Sequence, residues 1–301
     1  VTEDMHNFKH ASMKRLVLIC PWFGAWPPWI NFFIESCRHN PDIDWLIFTD
    51  QDGPENSAPN VILRMMSFDA FKERVASALR VKIGGIQPYK IVDFRPFYGL
   101  VFAPEIDDYK SFGYCDMDVI WGDIRSIYTD ELLDSFDAIS AHDDKMSGHL
   151  SVFRNSQKMR SFGTIIKDWR GLLQDPNHRN VDEKVFSRYF RPKRRHLIRY
   201  MTKPKTLFVE RHTTPGHPHK PWPDIREAPR IWLWKDGRLT NERFSSDILY
   251  LHFMTWHSNR WRKGDMVEAP WPNLPSIVQC DWRTAARDGF MISPEGIRSP
   301  I

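Results

Sequence analysis

Between Gly113 and Asp123 the chain reads Gly-Tyr-Cys-Asp-Met-Asp-Val-Ile-Trp-Gly-Asp, an Asp-x-Asp pair set among apolar and aromatic residues. A solvated turn that happens to hold two aspartates does not usually carry Phe112, Tyr114, Val119, Ile120 and Trp121 on its flanks. These flanks predict a buried strand that runs out into a loop at the carboxylates. Alternate side chains of an extended strand share a face, so Asp116 and Asp118 converge if the backbone stays extended there. Two carboxylates so placed form a hard-oxygen site suited to Mg²⁺ or Mn²⁺, and such an ion can bridge a diphosphate.

The rest of the chain alternates strand and helix patterns. Arg15–Cys20 is a short apolar run that ends at Pro21 and Gly24, the mark of a buried strand entering a loop. Trp29–His39 reads as a helix with Ile30, Phe33, Ile34 and Cys37 on one face. Asp44–Asp50 is a second strand, Asn60–Met65 a third, and Ser67–Lys82 a helix. A helix is predicted over Asp93–Phe102 with Pro96 in its first turn, where a missing N–H costs little. Further strands are expected at 138–141 and 151–155, and helices at 156–173 and 182–189. Such alternation argues for an α/β fold with a mostly parallel, Rossmann-like sheet flanked by helices. Ligands of these sheets bind beyond the carboxyl ends of strands, where Phe23, Gly24, Asp50 and the Asp-x-Asp pair fall.

After about residue 191 the character changes. Arg191-Pro192-Lys193-Arg194-Arg195 is basic, and 211–230 is rich in Pro and His, which reads as a long loop or an excursion over the site face. Ile231–Leu239 then has the alternation and the Asp-Gly signal of a hairpin. We expect one domain over 13–301, with about 191–301 as a C-terminal extension over the site face and 1–12 as a flexible arm outside the fold.

A chain of 301 residues can bury a sizeable core, and a hydrophobic content of 42% is ordinary. Thirteen Trp and twenty Phe are many; they serve as core or as surfaces on which sugar rings and nucleobases stack. The formal charge of +4 does not suggest nucleic acid. Basic residues are scattered among as many carboxylates, without helix-turn-helix, zinc-finger or RNP spacing. Cys20, Cys37, Cys115 and Cys280 show no zinc spacing and fit a reduced, intracellular protein, with two disulfides left open. No apolar run reaches the length of a membrane span.

Taken together these segments resemble the GT-A class of nucleotide-sugar-dependent glycosyltransferases, in particular bacterial enzymes of polysaccharide biosynthesis. The resemblance rests on a Lys-x-x-Asp-x-x-Pro segment (Lys90, Asp93, Pro96) shortly before Asp116 and Asp118. It also takes in the opening strand with Pro21–Gly24, the strand ending at Thr49-Asp50, and Leu251-His252-Phe253-Met254-Thr255-Trp256 near the C-terminus. It implies transfer of a hexose from a nucleotide sugar, UDP-linked, to a hydroxyl of a glycan or lipid-linked acceptor. The expected setting is surface polysaccharide or lipopolysaccharide synthesis, in the cytoplasm or peripheral at the inner face of the cell membrane. The expected cofactor is Mn²⁺ or Mg²⁺, held by Asp116, Asp118 and His252, which would serve as a Lewis acid for the departing diphosphate. His252 otherwise reads as a satisfied core histidine.

The resemblance also implies that Phe23, Gly24, Asp50, Lys90, Asp93, Asp116, Gly148 and Trp256 bind the nucleotide sugar. Lys90 and Asp93 read equally as an i, i+3 ion pair and Asp50 as the cap of a turn, whereas Gly148-His149-Leu150-Ser151 resembles the small-residue turn that lines the donor sugar or acceptor in similar enzymes. Asp182 and Glu183 open a predicted helix, where acids stabilise the positive end of its dipole; alternatively one of them is the base that deprotonates the acceptor in an inverting transfer. His142-Asp143-Asp144 imitates a hydrolase metal motif without a His-rich partner helix, and His212, His217 and His219 lie among prolines. The basic run 191–205 is a solvated face or a contact for anionic lipid. Two rival functions remain: a nucleotide-sugar hydrolase using the same metal site, and a non-catalytic carbohydrate-binding protein.

Overall fold

The computed structural model describes residues 14–209, 213–215, 229–253 and 277–300. Strand β1 (Lys14–Ile19) shows why the sheet forms. Its residues Leu16–Ile19 are buried on both faces, as a central parallel strand requires. Val17 and Ile19 enter one apolar cluster and Leu16 and Leu18 the other, the period-two alternation of a strand between two helical layers. Helix α1 (Ile30–Arg38) packs on the second face through Ile30, Phe33, Ile34 and Cys37. β2 (Ile43–Thr49) and β3 (Val61–Met65) follow, and helix α2 (Phe68–Leu79) covers the first face through Phe71, Val75 and Leu79.

The remaining strands of this sheet are β4 (Tyr109–Cys115), β6 (Ala138–Ser140), β7 (Leu150–Arg154) and β8 (Thr206–Phe208). A short strand, β5 (Val119–Trp121), lies between β4 and β6 in the chain. The seven-stranded order is β3-β2-β1-β4-β7-β6-β8, with β7 alone running against its neighbours. The mostly parallel α/β expectation is therefore met. From β1 the chain crosses to β2 and β3 on one side, whereas β4 lies on the other. That divergence is a topological switch point, and it opens a crevice beyond the carboxyl ends of β1 and β4.

A second layer is built from β9 (Trp232–Lys235), β10 (Arg238–Asn241), β12 (Phe290–Ser293) and β13 (Gly296–Arg298) in the order β10-β9-β12-β13. The expected hairpin is β9–β10; Asp236 and Gly237 make its two-residue turn at φ 51° and 77°, as a type I′ turn demands. This sheet packs on α1 and β5. The Trp234 indole N–H donates to the Trp121 carbonyl at 2.9 Å, and Phe290 meets Phe32 edge-on at 4.9 Å. Strand β11 (Tyr250–His252) pairs antiparallel with β5, setting His252 opposite Val119.

Several local expectations fail for identifiable reasons. The helix predicted over 93–102 is a 3₁₀ run, Pro88–Phe97, followed by short α turns at Tyr98–Val101 and Ala103–Ile106. Pro88 takes the first-turn position and Pro96 lies inside the run, where it removes an α-type hydrogen bond. The helix predicted over 156–173 is broken into Gln157–Arg160, Phe162–Ile165 and Trp169–Gln174. The helix predicted over 182–189 begins as a π turn, Val181–Val185, and continues as Ser187–Phe190. The segment after 191 is not loop throughout: it contains the helix Leu197–Met201 and the edge strand β8. All four cysteines are free thiols. Among the described residues no helix is long and apolar enough to cross a membrane.

Candidate active site

The two aspartates sit in the gap between β4 and β5, so the strand does not stay extended through them as expected. The gap is nevertheless pinned. The Trp29 indole donates to the Met117 carbonyl at 2.9 Å, and the Phe253 amide donates to the Asp118 carbonyl at 3.1 Å. Met117 is buried in the core between them. Across this gap β11 delivers His252, whose Nε2 lies 3.8 Å from Asp116 Oδ2 and 3.5 Å from Asp118 Oδ1. Its Nδ1 faces Thr214 Oγ1 at 3.1 Å, an outer partner that leaves Nε2 turned to the carboxylates.

A fourth residue joins them. Because β7 runs antiparallel to β4, the start of β7 lies at the end of β4: Cys115 pairs with Leu150, and His149 stands beside Asp116. The rings of His149 and His252 are 4.3 Å apart between centroids. One ligand atom each from Asp116, His149 and His252 lie within 4.8 Å of one another. Ligands bonded at about 2.1 Å to one ion stand at most about twice that apart, so a few tenths of an ångström of closing would seat an ion. Burial and the neighbouring His252 push the His149 imidazole well below its ordinary value, which keeps it neutral with a lone pair free. For His252 burial works against charge, but Asp118 and Asp116 outweigh it and raise its affinity for a proton.

Arg95 ties this cluster to the helix of the acidic pair. It is buried over the Tyr114 ring, donates to Asp116 Oδ1, and donates from its other nitrogen to Asp182 Oδ2 at 2.9 Å. Asp116 Oδ1 is thereby held by the guanidinium while Oδ2 faces His252. Burial raises the Asp182 carboxyl to about 6, against the pull of Arg95. Glu183 turns elsewhere: it accepts from the Gly148 amide at 3.0 Å and from Lys145 Nζ at 2.7 Å. Despite burial, Lys145 holds its carboxyl below the usual range. Gly148 is the knuckle of this arrangement. A Cβ there would lie 2.8 Å from Arg95 Nη1 and 3.2 Å from Glu183 Oε1, so a side chain displaces the groups that orient the acids.

The other residues named from sequence lie in three places. Lys90 and Asp93 are buried beneath the site, not on its wall. Lys90 Nζ spends its three protons on Asp93 Oδ2 at 2.8 Å and the carbonyls of Leu172 and Asn177 at 2.9 and 2.7 Å. Asp93 in turn accepts from the amides of Arg179 and Val181 at 2.7 and 2.8 Å, and so pins the loop that presents Asp182. Gly24, Asp50 and Phe23 cluster at the carboxyl ends of β1 and β2. The Gly24 amide donates to Asp50 Oδ1 at 2.9 Å, both residues are exposed, and Gly24 sits at φ 96°, where L residues are strained. Phe23 packs into the core against Phe68 and Phe71. Trp256 lies outside the described residues, as do His257, His212, His217 and His219.

His142, Asp143 and Asp144 group at the surface, with His142 Nδ1 2.8 Å from Asp144 and 3.2 Å from Asp143. His149, Arg95, Lys145 and Thr214 were not read from the sequence as site residues. His149 adjoins the chosen Gly148, but its role depends on the direction of β7, which no local pattern states. Arg95 lies between Asp93 and Pro96 and shows no signal of its own.

A family model described as "Family of unknown function (DUF6625)" matches residues 18–269. No curated protein matches the chain. Among solved structures, the chain is similar to the galactosyltransferase LgtC in complex with donor and acceptor sugar analogues. The identity is 11% and the TM-score 0.43, over 81% of this chain and 90% of that one. The glycosyltransferase GlyE of Streptococcus pneumoniae TIGR4 is 15% identical with a TM-score of 0.33, over 66% of this chain and 46% of that one. A glycosyltransferase involved in glycosylation of the major capsid of PBCV-1 is 8% identical with a TM-score of 0.38, over 67% and 85%.

Proposed function

The chain belongs to this family of unknown function, and we propose from its site that it is a metal-dependent glycosyltransferase. In this reading it moves a hexose from a nucleotide sugar, UDP-linked, to a hydroxyl of a glycan or lipid-linked acceptor, in bacterial surface polysaccharide synthesis. The observation that carries the reading is the convergence of Asp116, Asp118, His149 and His252 at the switch point of the sheet. Nitrogen and oxygen donors together favour Mn²⁺ over Mg²⁺, which prefers oxygen ligands and keeps its waters. Bound there, the ion would neutralise charge on the departing diphosphate.

The chain's own groups do the rest. Arg95 fixes one carboxylate oxygen of Asp116, so that the other would be free to hold an ion, and Asp182 fixes Arg95. Asp50 and Gly24 lie at the nucleoside end, where Asp50 keeps an oxygen for a ribose or base donor. Lys90 and Asp93 serve by positioning the 175–182 loop. Glu183, whose carboxylate borders the cavity beside the site, is the base that an acceptor hydroxyl would reach in an inverting transfer. The basic segment 191–205 and the exposed Leu197, Ile198 and Met201 support peripheral contact with an anionic bilayer.

The test is turnover. With a panel of nucleotide sugars and Mn²⁺, release of the nucleoside diphosphate should depend on an added glycan or lipid-linked acceptor, stop with EDTA, and return with excess Mn²⁺. Release that ignores the acceptor would indicate a hydrolase. No release from any donor, with glycan binding that survives EDTA, would indicate a carbohydrate-binding protein.

A further inference from the structure

Glu183, which holds the Gly148 amide beside His149, also lines a cavity of about 510 Å³ whose wall includes Lys145, Lys184, Arg188 and Arg191. Of its two carboxylates, Glu183 is matched by the Lys145 cation at 2.7 Å, and Asp144 has His142 Nδ1 at 2.8 Å, a cation only when protonated. The remaining cations, among the described residues, pair with no carboxylate. Arg191 donates to the Asp143 carbonyl and lies over the Phe208 ring, and among the described residues neither Lys184 nor Arg188 has a carboxylate partner. Lys184 comes from the π turn Val181–Val185, Arg188 from the short helix Ser187–Phe190 and Arg191 from the residue that ends it, and all three line the cavity. Asn180 adds to the same wall: its Oδ1 accepts the Lys184 amide at 2.9 Å, which leaves its amide nitrogen for a further acceptor.

A wall on which four cations outnumber two carboxylates, large enough for a diphosphate and sharing Glu183 with the site, selects its ligand by charge. We propose that this cavity is an oxyanion subsite that takes the phosphate or diphosphate of an anionic acceptor through Lys184, Arg188 and Arg191. Arginine and lysine together suit phosphate, the one by paired N–H donors and the other as a point charge. That the bound anion belongs to the acceptor rests on the transferase reading; that the cavity binds phosphate does not.

The experiment is calorimetric titration of the full chain in EDTA, which removes metal-mediated phosphate binding at the aspartates. The probes are inorganic pyrophosphate, glucose 1-phosphate and farnesyl diphosphate, the last two separating a sugar phosphate from a lipid diphosphate. Saturable pyrophosphate binding is expected, weakened at least tenfold in Lys184→Gln/Arg188→Gln and retained in the charge-preserving Lys184→Arg/Arg188→Lys. Both variants should keep the wild-type Tm, since the side chains are exposed. Absence of saturable binding for all three probes, or binding that survives the double glutamine substitution, overturns the proposal. Donor turnover is not part of the readout, so failure of the transferase reading would leave this result standing.

Discussion

Asp93 shows how a residue can matter to a site without touching a ligand. The sequence pairs it with Lys90, and the structure buries both and adds four further carbonyl or amide partners around them. Burial alone would raise its carboxyl, but His178, Lys90 and two backbone N–H groups pull it down to about 2. A folded value below the ordinary 3.8 means the carboxylate stabilises the fold above about pH 4, and that contribution is lost as pH falls from there toward 2. Asp93→Asn strands the Lys90 ammonium in the interior and should cost about 3 kcal/mol or more at neutral pH, measured by urea unfolding. It should also flatten the acid limb of the stability curve. Asp182 works in the other direction: burial sets its carboxyl near 6, so its hold on Arg95 is that of an anion only above that pH. Turnover should fall as pH drops through about 6, and Asp182→Asn should remove that inflection from the profile. Residues that announce themselves by type, Asp116, Asp118 and His252, could be chosen from the sequence. His149 and Arg95 could not, because each acquires its role from which strand end or ring lies beside it.

At the scale of elements, apolar runs without internal proline were legible and the rest were not. β1, α1, β2 and α2 were expected within a few residues of where they stand. The segments that shape the site were misread as plain helices. Around Pro96 the chain must stay 3₁₀, and this holds Lys90, Asp93 and Arg95 in one short run. The π turn Val181–Val185 begins after Asn180 at φ 53°, a left-handed residue that periodicity does not reveal. The β9–β10 hairpin is the opposite case, since Asp-Gly states its turn outright. Gly237 combines φ 77° with a position whose added Cβ would stand 2.8 Å from the Cβ of His39. Gly237→Ala should therefore destabilise by about 1–2 kcal/mol, read as a lower urea midpoint at an unchanged m-value.

For the molecule as a whole, strand alternation gave the sheet, and the sheet gave the crevice. What the pattern could not give was strand order, and the site depends on it. β4 lies beside β1, β7 returns against β4, and β11 comes back from late in the chain to pair with β5. Those three placements bring residues 116, 118, 149 and 252 together. Among the described residues, Trp29, Trp121, Trp232 and Trp234 are buried in the second layer and its seam. We propose that this cluster of residues 116, 118, 149 and 252 holds a divalent ion that in turn holds a nucleoside diphosphate. The most direct measurement is the thermal shift of the protein with UDP, GDP, CDP and ADP, each with and without Mn²⁺. The account predicts selective stabilisation by one diphosphate, UDP, only with the metal present, and its loss in both Asp118→Ala and His149→Ala. A folded protein that no diphosphate stabilises with Mn²⁺, or one stabilised equally well in His149→Ala, would contradict it.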